Sequence, residues 1–148
     1  GNYDDLVAHI EKLSARFDEL SDSIKAAEKR IVEVQALQQH IKNYRDTRQI
    51  YVEYRKSGYS KKFFEEHRQE ITIHKAAKKA FDDLQITKLP SSQSLYEEFH
   101  RLAVQKKQDY AEYRQIRKEK EELLIAKRTV ETILNIDKKK EQEKKTVR

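Results

Sequence analysis

Apolar side chains recur along this chain at alternating intervals of four and three. From Leu6 the series runs through Ile10, Leu13, Phe17, Leu20, Ile24, Ala27, Ile31 and Val34 without a break. That is the heptad rhythm of a helix that buries one stripe against another helix. After Val34 the interval slips, giving Leu37, Ile41 and Tyr44, and such a three-residue step overwinds a supercoil locally. Tyr51 and Tyr54 carry the stripe to Ser57 and Gly58, where glycine suits the left-handed residue that ends a helix. Asn2 is placed to cap the start, and Asp4 and Asp5 sit where carboxylates favour the positive end of the helix dipole. The spacing predicts a first helix over about 3–56, roughly 80 Å long at ~1.5 Å per residue.

Ser60 is positioned to cap a second helix, about 61–85, with a stripe of Phe64, His67, Ile71, His74, Ala77, Phe81 and Leu84. Phe63, Ile73 and Ala80 widen that face, so two neighbours are expected for it. Leu89-Pro90-Ser91-Ser92 is the clearest breaker, because proline excludes helix from the residue before it. Ser94 and Glu97 form a capping-box pattern and open a third helix, about 94–138. Lys106, Lys120 and Lys127 interrupt its seam, which predicts long stems lying across it with their ammonium groups reaching water.

The expected fold class is all-α: a long antiparallel helical hairpin, or coiled coil, with a shorter third helix packed at the connection end. It forms a single elongated domain over 2–138, followed by a basic frayed tail at 139–148. Antiparallel pairing across the connection puts Leu37 near Tyr113, Tyr44 near Lys106 and Leu13 near Asp137. A parallel dimer through the first helix is the alternative.

Composition agrees with exposed helices rather than a compact globule. Charged residues make up 39% of the chain and the hydrophobic set only 36%, which starves a large interior. Two glycines and one proline leave little material for loops. Without cysteine there is no disulfide framework and no thiolate chemistry, and a cytoplasmic location is expected. No apolar run approaches the ~20 residues of a membrane span, so no membrane partner is expected. The chain opens on Gly1 and lacks methionine, and is read as a piece of a longer protein carrying a cloning remnant.

The net charge of +6 is unevenly spread. Residues 1–40 carry −3, residues 41–80 carry +6, residues 81–137 carry −1 and the segment from 138 carries +4. Aromatics gather where the first basic excess lies. Tyr44, Tyr51, Tyr54, Tyr59, Phe63 and Phe64 alternate with Arg45, Arg48, Arg55, Lys56, Lys61 and Lys62. Basic groups neutralise phosphates and exposed rings stack on unpaired bases, which is one reading. In the other, Tyr44, Tyr51 and Tyr54 share a stripe and fill the core of a helix junction. Lys61, Lys62, Lys75, Lys78 and Lys79 are the first candidates for nucleic-acid contact, with Arg45, Arg48 and Arg55 behind them.

Catalytic patterns are missing. The five histidines form no metal-binding spacing, and His67 and His74 read as a half-buried core pair. Gly1 and Gly58 cannot make a phosphate-cradling loop. Adjacent acids such as Asp82 and Asp83 point about 100° apart on a helix and do not converge. The expectation is a non-enzymatic chain with no catalytic residue, metal, cofactor or small-molecule substrate.

The stretch from Asn43 to Leu84, NYRDTRQIYVEYRKSGYSKKFFEEHRQEITIHKAAKKAFDDL, resembles the C-terminal helical region of relaxase/mobilisation nuclease proteins from mobile elements of Gram-positive bacteria. Gly58-Tyr59-Ser60-Lys61-Lys62 and His74-Lys75-Ala76-Ala77-Lys78 carry most of the likeness, and KLPSSQSL, YAEYRQIRKEKEELL and AKRTVETIL continue it. The resemblance implies an accessory, non-catalytic domain of a conjugative DNA relaxase that grips plasmid or transposon DNA, dimerises, or docks to transfer-machinery proteins. No nuclease residue carries over. The competing expectation is a structural coiled-coil spacer or oligomerisation module, with Leu6 and Ile10 open to a partner helix.

Overall fold

The computed structural model describes residues 1–146. Four helices follow in order: α1 (Asn2–Lys56), α2 (Lys61–Glu66), α3 (Arg68–Asp83) and α4 (Ser92–Thr146). Among the described residues there is no strand, and the fold is all-α with long helices packed against one another. Two compact units are present, one made of Gly1–Ala27 with Val104–Arg148 and the other of Glu28–Ala103.

In the first unit α1 and α4 lie antiparallel. Phe17 stacks on Tyr113 at 4.5 Å, and the Lys120 ammonium stands 5.2 Å over the opposite member of that stack, Phe17. Ile10, Leu20, Ile24, Ala27 and Ile116 are buried along the seam. Two helices cover only one stripe of each other, and polar bridges flank the seam. The Tyr3 hydroxyl donates to Glu131 at 2.7 Å, the Ser23 hydroxyl to Asp109 at 2.7 Å, and the Arg16 guanidinium to both Glu112 oxygens at 2.9 and 2.8 Å. The interrupting lysines find partners instead of simply reaching water: the Lys106 ammonium lies 6.0 Å from the Tyr110 ring, Lys120 lies over Phe17, and Lys127 reaches Glu131 at 3.7 Å.

The second unit brings three elements together. Val34, Leu37 and Ile41 of α1, Ala77 and Phe81 of α3, and Leu95 of α4 form one buried cluster, flanked by Tyr44, Ile86, Leu89 and Phe99. Here α3 runs back along α1, from Tyr51 beside His74 to Leu37 beside Phe81. Helix α4 begins against α1 at Arg45, whose guanidinium donates to Ser92, and Arg30 then pairs with Glu98.

That succession corrects the expected register. Tyr113 lies on Phe17 rather than near Leu37, Leu37 meets Leu95, and Tyr44 stacks on His74 rather than lying near Lys106. The side chain of Asp137 falls outside the described residues. The cause is that α3 already occupies the end of α1, so α4 starts partway along it. Within the first unit α4 covers the α1 seam at its start: Ile10 is buried and Leu6 partly so. These two residues are not an open partner site.

Helix ends differ in four places. The expected second helix breaks at His67, whose φ of −128° and ψ of 31° leave the helical region, so His67 and His74 stand on different elements of the path. Helix α4 is capped by Ser91, whose hydroxyl accepts from the Ser94 amide at 3.0 Å, not by a box from Ser94. It continues to Thr146 instead of stopping near 138. Val147 and Arg148, at the end of the expected frayed tail, lie outside the described residues. Asn2 stands inside α1, whose first turn uses the Gly1 carbonyl.

Candidate nucleic-acid interface

Helix α1 stops because Gly58 takes a φ of +73°. The Gly58 amide donates to the Arg55 carbonyl and the Tyr59 amide to the Tyr54 carbonyl, both at 3.1 Å. This reciprocal pair satisfies carbonyls that a helix end leaves open. Two residues later Ser60 caps α2, accepting from the Phe63 amide at 3.3 Å. The reversal is tight, and everything between Arg55 and Lys62 is displayed within it.

That segment reads Arg55-Lys56-Ser57-Gly58-Tyr59-Ser60-Lys61-Lys62, with four cations and no acid. All four cations are exposed, and none makes an ion pair among the described residues. The nearest following acid, Glu65, is taken by Arg68 at 2.6 Å. Arg48, one of the second-tier candidates, is likewise exposed and without an ion pair.

The other predicted contacts are already engaged. Lys79 pairs with Asp83 at 2.8 Å. Arg45 holds Ser92 at 3.1 Å. The Lys75 ammonium lies 5.8 Å from the Tyr54 ring and 5.7 Å from Phe64, and Lys78 lies 5.5 Å from Tyr51. An ammonium over a ring face is held by the ring's quadrupole. Lys75 and Lys78 therefore cover the aromatic core while staying exposed. The structure divides the eight predicted residues into a turn group (Arg55, Lys61, Lys62) and side chains on the helix flanks.

Beneath the cations the aromatics are mostly interior. Tyr44 and Tyr51 sandwich the His74 ring at 4.8 and 4.4 Å. His74 is only 2% exposed, beyond the half-buried state expected for it. Its proton can be placed. Thr47 Oγ1 donates its single hydrogen to the Asn43 carbonyl at 2.6 Å, so toward His74 Nδ1, 2.9 Å away, it accepts, and Nδ1 carries the hydrogen. Burial, and then the nearby Lys78 charge, push the His74 pKa down. Tyr54 is buried among Phe63, Phe64 and Tyr59. The core reading thus holds for Tyr44, Tyr51 and Tyr54.

Tyr59 is the exception, 56% exposed at the crest of the turn. Sequence reasoning grouped it with the other rings and left Lys56 out of the candidate contacts. The acid-free run around Gly58 was the signal that would have singled both out.

A groove of about 750 Å³ lies elsewhere in this unit, between Leu37, His40, Leu84, Ile86 and Pro90. Of its charged lining residues, Arg30 pairs with Glu33 and Glu98, and Asp83 with Lys79. Among the described residues no group of three or more His, Asp or Glu is placed to hold a metal ion, and no helix is long and apolar enough to cross a membrane. No family model, curated protein or solved structure matches the chain.

Proposed function

We propose that this chain is a non-catalytic helical domain that holds nucleic acid through the cationic turn between α1 and α2. The observation that carries the reading is the run of four exposed cations at Arg55, Lys56, Lys61 and Lys62, with no acid between Arg55 and Lys62 and no ion pair among the described residues. Cations held in ion pairs spend their field locally, whereas this group, with no ion pair among the described residues, presents its charge to solvent, where phosphates displace counterions. The resemblance of Gly58-Tyr59-Ser60-Lys61-Lys62 to the relaxase helical region points to DNA of a mobile element as the ligand and to plasmid or transposon mobilisation as the setting.

The test is fluorescence anisotropy with labelled oligonucleotides across a salt series. Four phosphate contacts on a single strand give a log–log slope of about −3. Lys61→Glu with Lys62→Glu flattens that slope and weakens binding at least tenfold. Affinity indifferent to salt, or no binding at about 50 mM salt, rejects the reading.

One observation favours a second reading, a coiled-coil spacer or self-associating module. On α4, Ile125 and Ile133 are exposed and border a shallow depression with Arg128, Thr129 and Thr132. Sedimentation of the wild type and of Ile125→Glu decides it: a concentration-dependent dimer lost in the variant supports self-association, and a monomer in both rejects it.

A further inference from the structure

The core leaves Tyr59 aside while using the five other rings of its neighbourhood, and its backbone makes that placement unusual. Its φ of +59° lies in the left-handed region, which bulky side chains rarely adopt. Asparagine or glycine would satisfy the same backbone with less strain. The ring's contact within the chain is edge-on to Tyr54, with centroids 5.3 Å apart and planes at 85°. A perpendicular contact occupies at most one side of a ring. With 56% of its surface exposed, the side chain stands between Arg55 and Lys56 on one side in sequence and Lys61 and Lys62 on the other.

An exposed ring among cations that have no acid partners matches single-stranded nucleic acid in two respects. Every base has a π-face that stacks on an aromatic side chain whatever its sequence, and the cations take the phosphates on either side. A duplex keeps its bases stacked on one another and offers this ring only backbone.

Resting on the nucleic-acid reading above, we infer that Tyr59 is a stacking platform for an unpaired base, so that the turn takes single strands in preference to duplex. Arg55, Lys56, Lys61 and Lys62 hold the flanking phosphates, and the left-handed backbone at Gly58 and Tyr59 lifts the ring clear of the helix end. The preference extends to DNA and RNA alike, because stacking does not involve the sugar hydroxyl.

The experiment uses the full chain with Tyr59→Asn and Tyr59→Phe. Asparagine tolerates a left-handed backbone, so Tyr59→Asn removes the ring without adding strain, and far-UV circular dichroism verifies the fold of both variants. Anisotropy is measured against labelled thymidine and uridine strands of about 15 nucleotides and a duplex of equal length. In the wild type at least one single strand binds more tightly than duplex. Tyr59→Asn weakens that strand by about 5- to 100-fold, the range for loss of one stacked base, and leaves duplex binding unchanged. Tyr59→Phe retains the preference. Equal affinity of wild type for strands and duplex overturns the stacking platform, as does a Tyr59→Asn loss shared by both, which assigns the ring to shaping the turn. In either case salt-dependent binding that is lost with Lys61→Glu and Lys62→Glu keeps the underlying nucleic-acid reading. Absence of salt-dependent binding to every probe removes both.

Discussion

Buried side chains in the unit spanning Glu28–Ala103 come from α1, α3 and α4, whereas those in the unit of Gly1–Ala27 and Val104–Arg148 come from α1 and α4 alone. The third element changes what can be enclosed. Val34, Ile71 and Ala77 lose nearly all contact with water, and even the polar His74 and Thr47 are taken inside. With two helices, the same kind of seam buries Leu20 but leaves Leu13 and Phe17 only partly covered, and is supplemented at its edges by Arg16 with Glu112 and Ser23 with Asp109. A heptad stripe supplies direction to both units, but the number of neighbours sets how much each residue on it contributes.

The sharpest test compares core truncations across the two units. Ile71→Ala removes a fully enclosed side chain and leaves a cavity walled on several sides, costing about 2–5 kcal/mol. Ile116→Ala, buried between only two helices, opens a space that solvent and neighbours can fill, and its cost lies at the lower end of that range. Native-state hydrogen exchange reads each unit separately. Equal losses of protection would abolish the distinction between them.

His74 provides the next contrast, because a titratable group buried in this way belongs to the three-element unit. Around it stand Tyr44, Thr47 and Tyr51 of α1 and Lys78 of α3. The folded chain holds His74 neutral, with its pKa below the ordinary 6.5, while the unfolded chain protonates it normally. Below pH 6.5 the unfolded state therefore binds more protons, and stability falls with pH until the folded value is passed. For a single proton the slope in that window cannot exceed about 1.4 kcal/mol per pH unit. Denaturant midpoints measured from pH 7.5 downward show it, and His74→Gln removes that component. An unchanged profile in the variant means another group is responsible.

How far these features were legible depends on whether the signal is one-dimensional. The stripes through Ile10, Leu20, Val34 and Ile41, and through Ile71, His74, Ala77 and Phe81, were readable because helical burial imposes a fixed spacing. Gly58 was readable because glycine marks the left-handed cap. The pairing of Phe17 with Tyr113 was not, since it depends on how far α3 runs back along α1 before α4 starts, a distance no local pattern encodes. The break at His67 carries neither glycine nor proline to announce it. Charge alone also did not reveal that Lys75 and Lys78 lie over rings while Lys61 and Lys62 stand clear of acids. The candidate interface was legible as a region, and its members were separated by geometry.

A third left-handed residue tests the connection that lets three elements meet. Gln85 takes a φ of +56° at the end of α3, where the Ile86 amide bonds to the Phe81 carbonyl at 2.9 Å. That hydrogen bond reproduces the end of α1, but with glutamine where α1 has Gly58. Removing the clash of Cβ with the following carbonyl is worth roughly 1 kcal/mol, and the added freedom of glycine in the unfolded chain offsets part of it. Gln85→Gly therefore raises the denaturant midpoint modestly, whereas Gly58→Ala lowers it. A decrease for Gln85→Gly would mean that its side chain contributes contacts beyond those that close the turn.

The smallest effect belongs to the polar edge of the two-helix unit. Arg16 holds Glu112 through two hydrogen bonds, and that bonding lowers the Glu112 pKa. Both partners remain open to solvent, so water and salt screen the attraction while two long side chains lose freedom to make it. Arg16→Ala accordingly lowers the melting temperature by less than about 2 °C at low ionic strength. In molar salt, where the screening length shrinks to about 3 Å, the variant and the wild type melt together. A larger loss that persists in salt would show that the Arg16 stem packs on the seam. The edge of the two-helix unit would then contribute through apolar contact, as the interior of its three-element counterpart does.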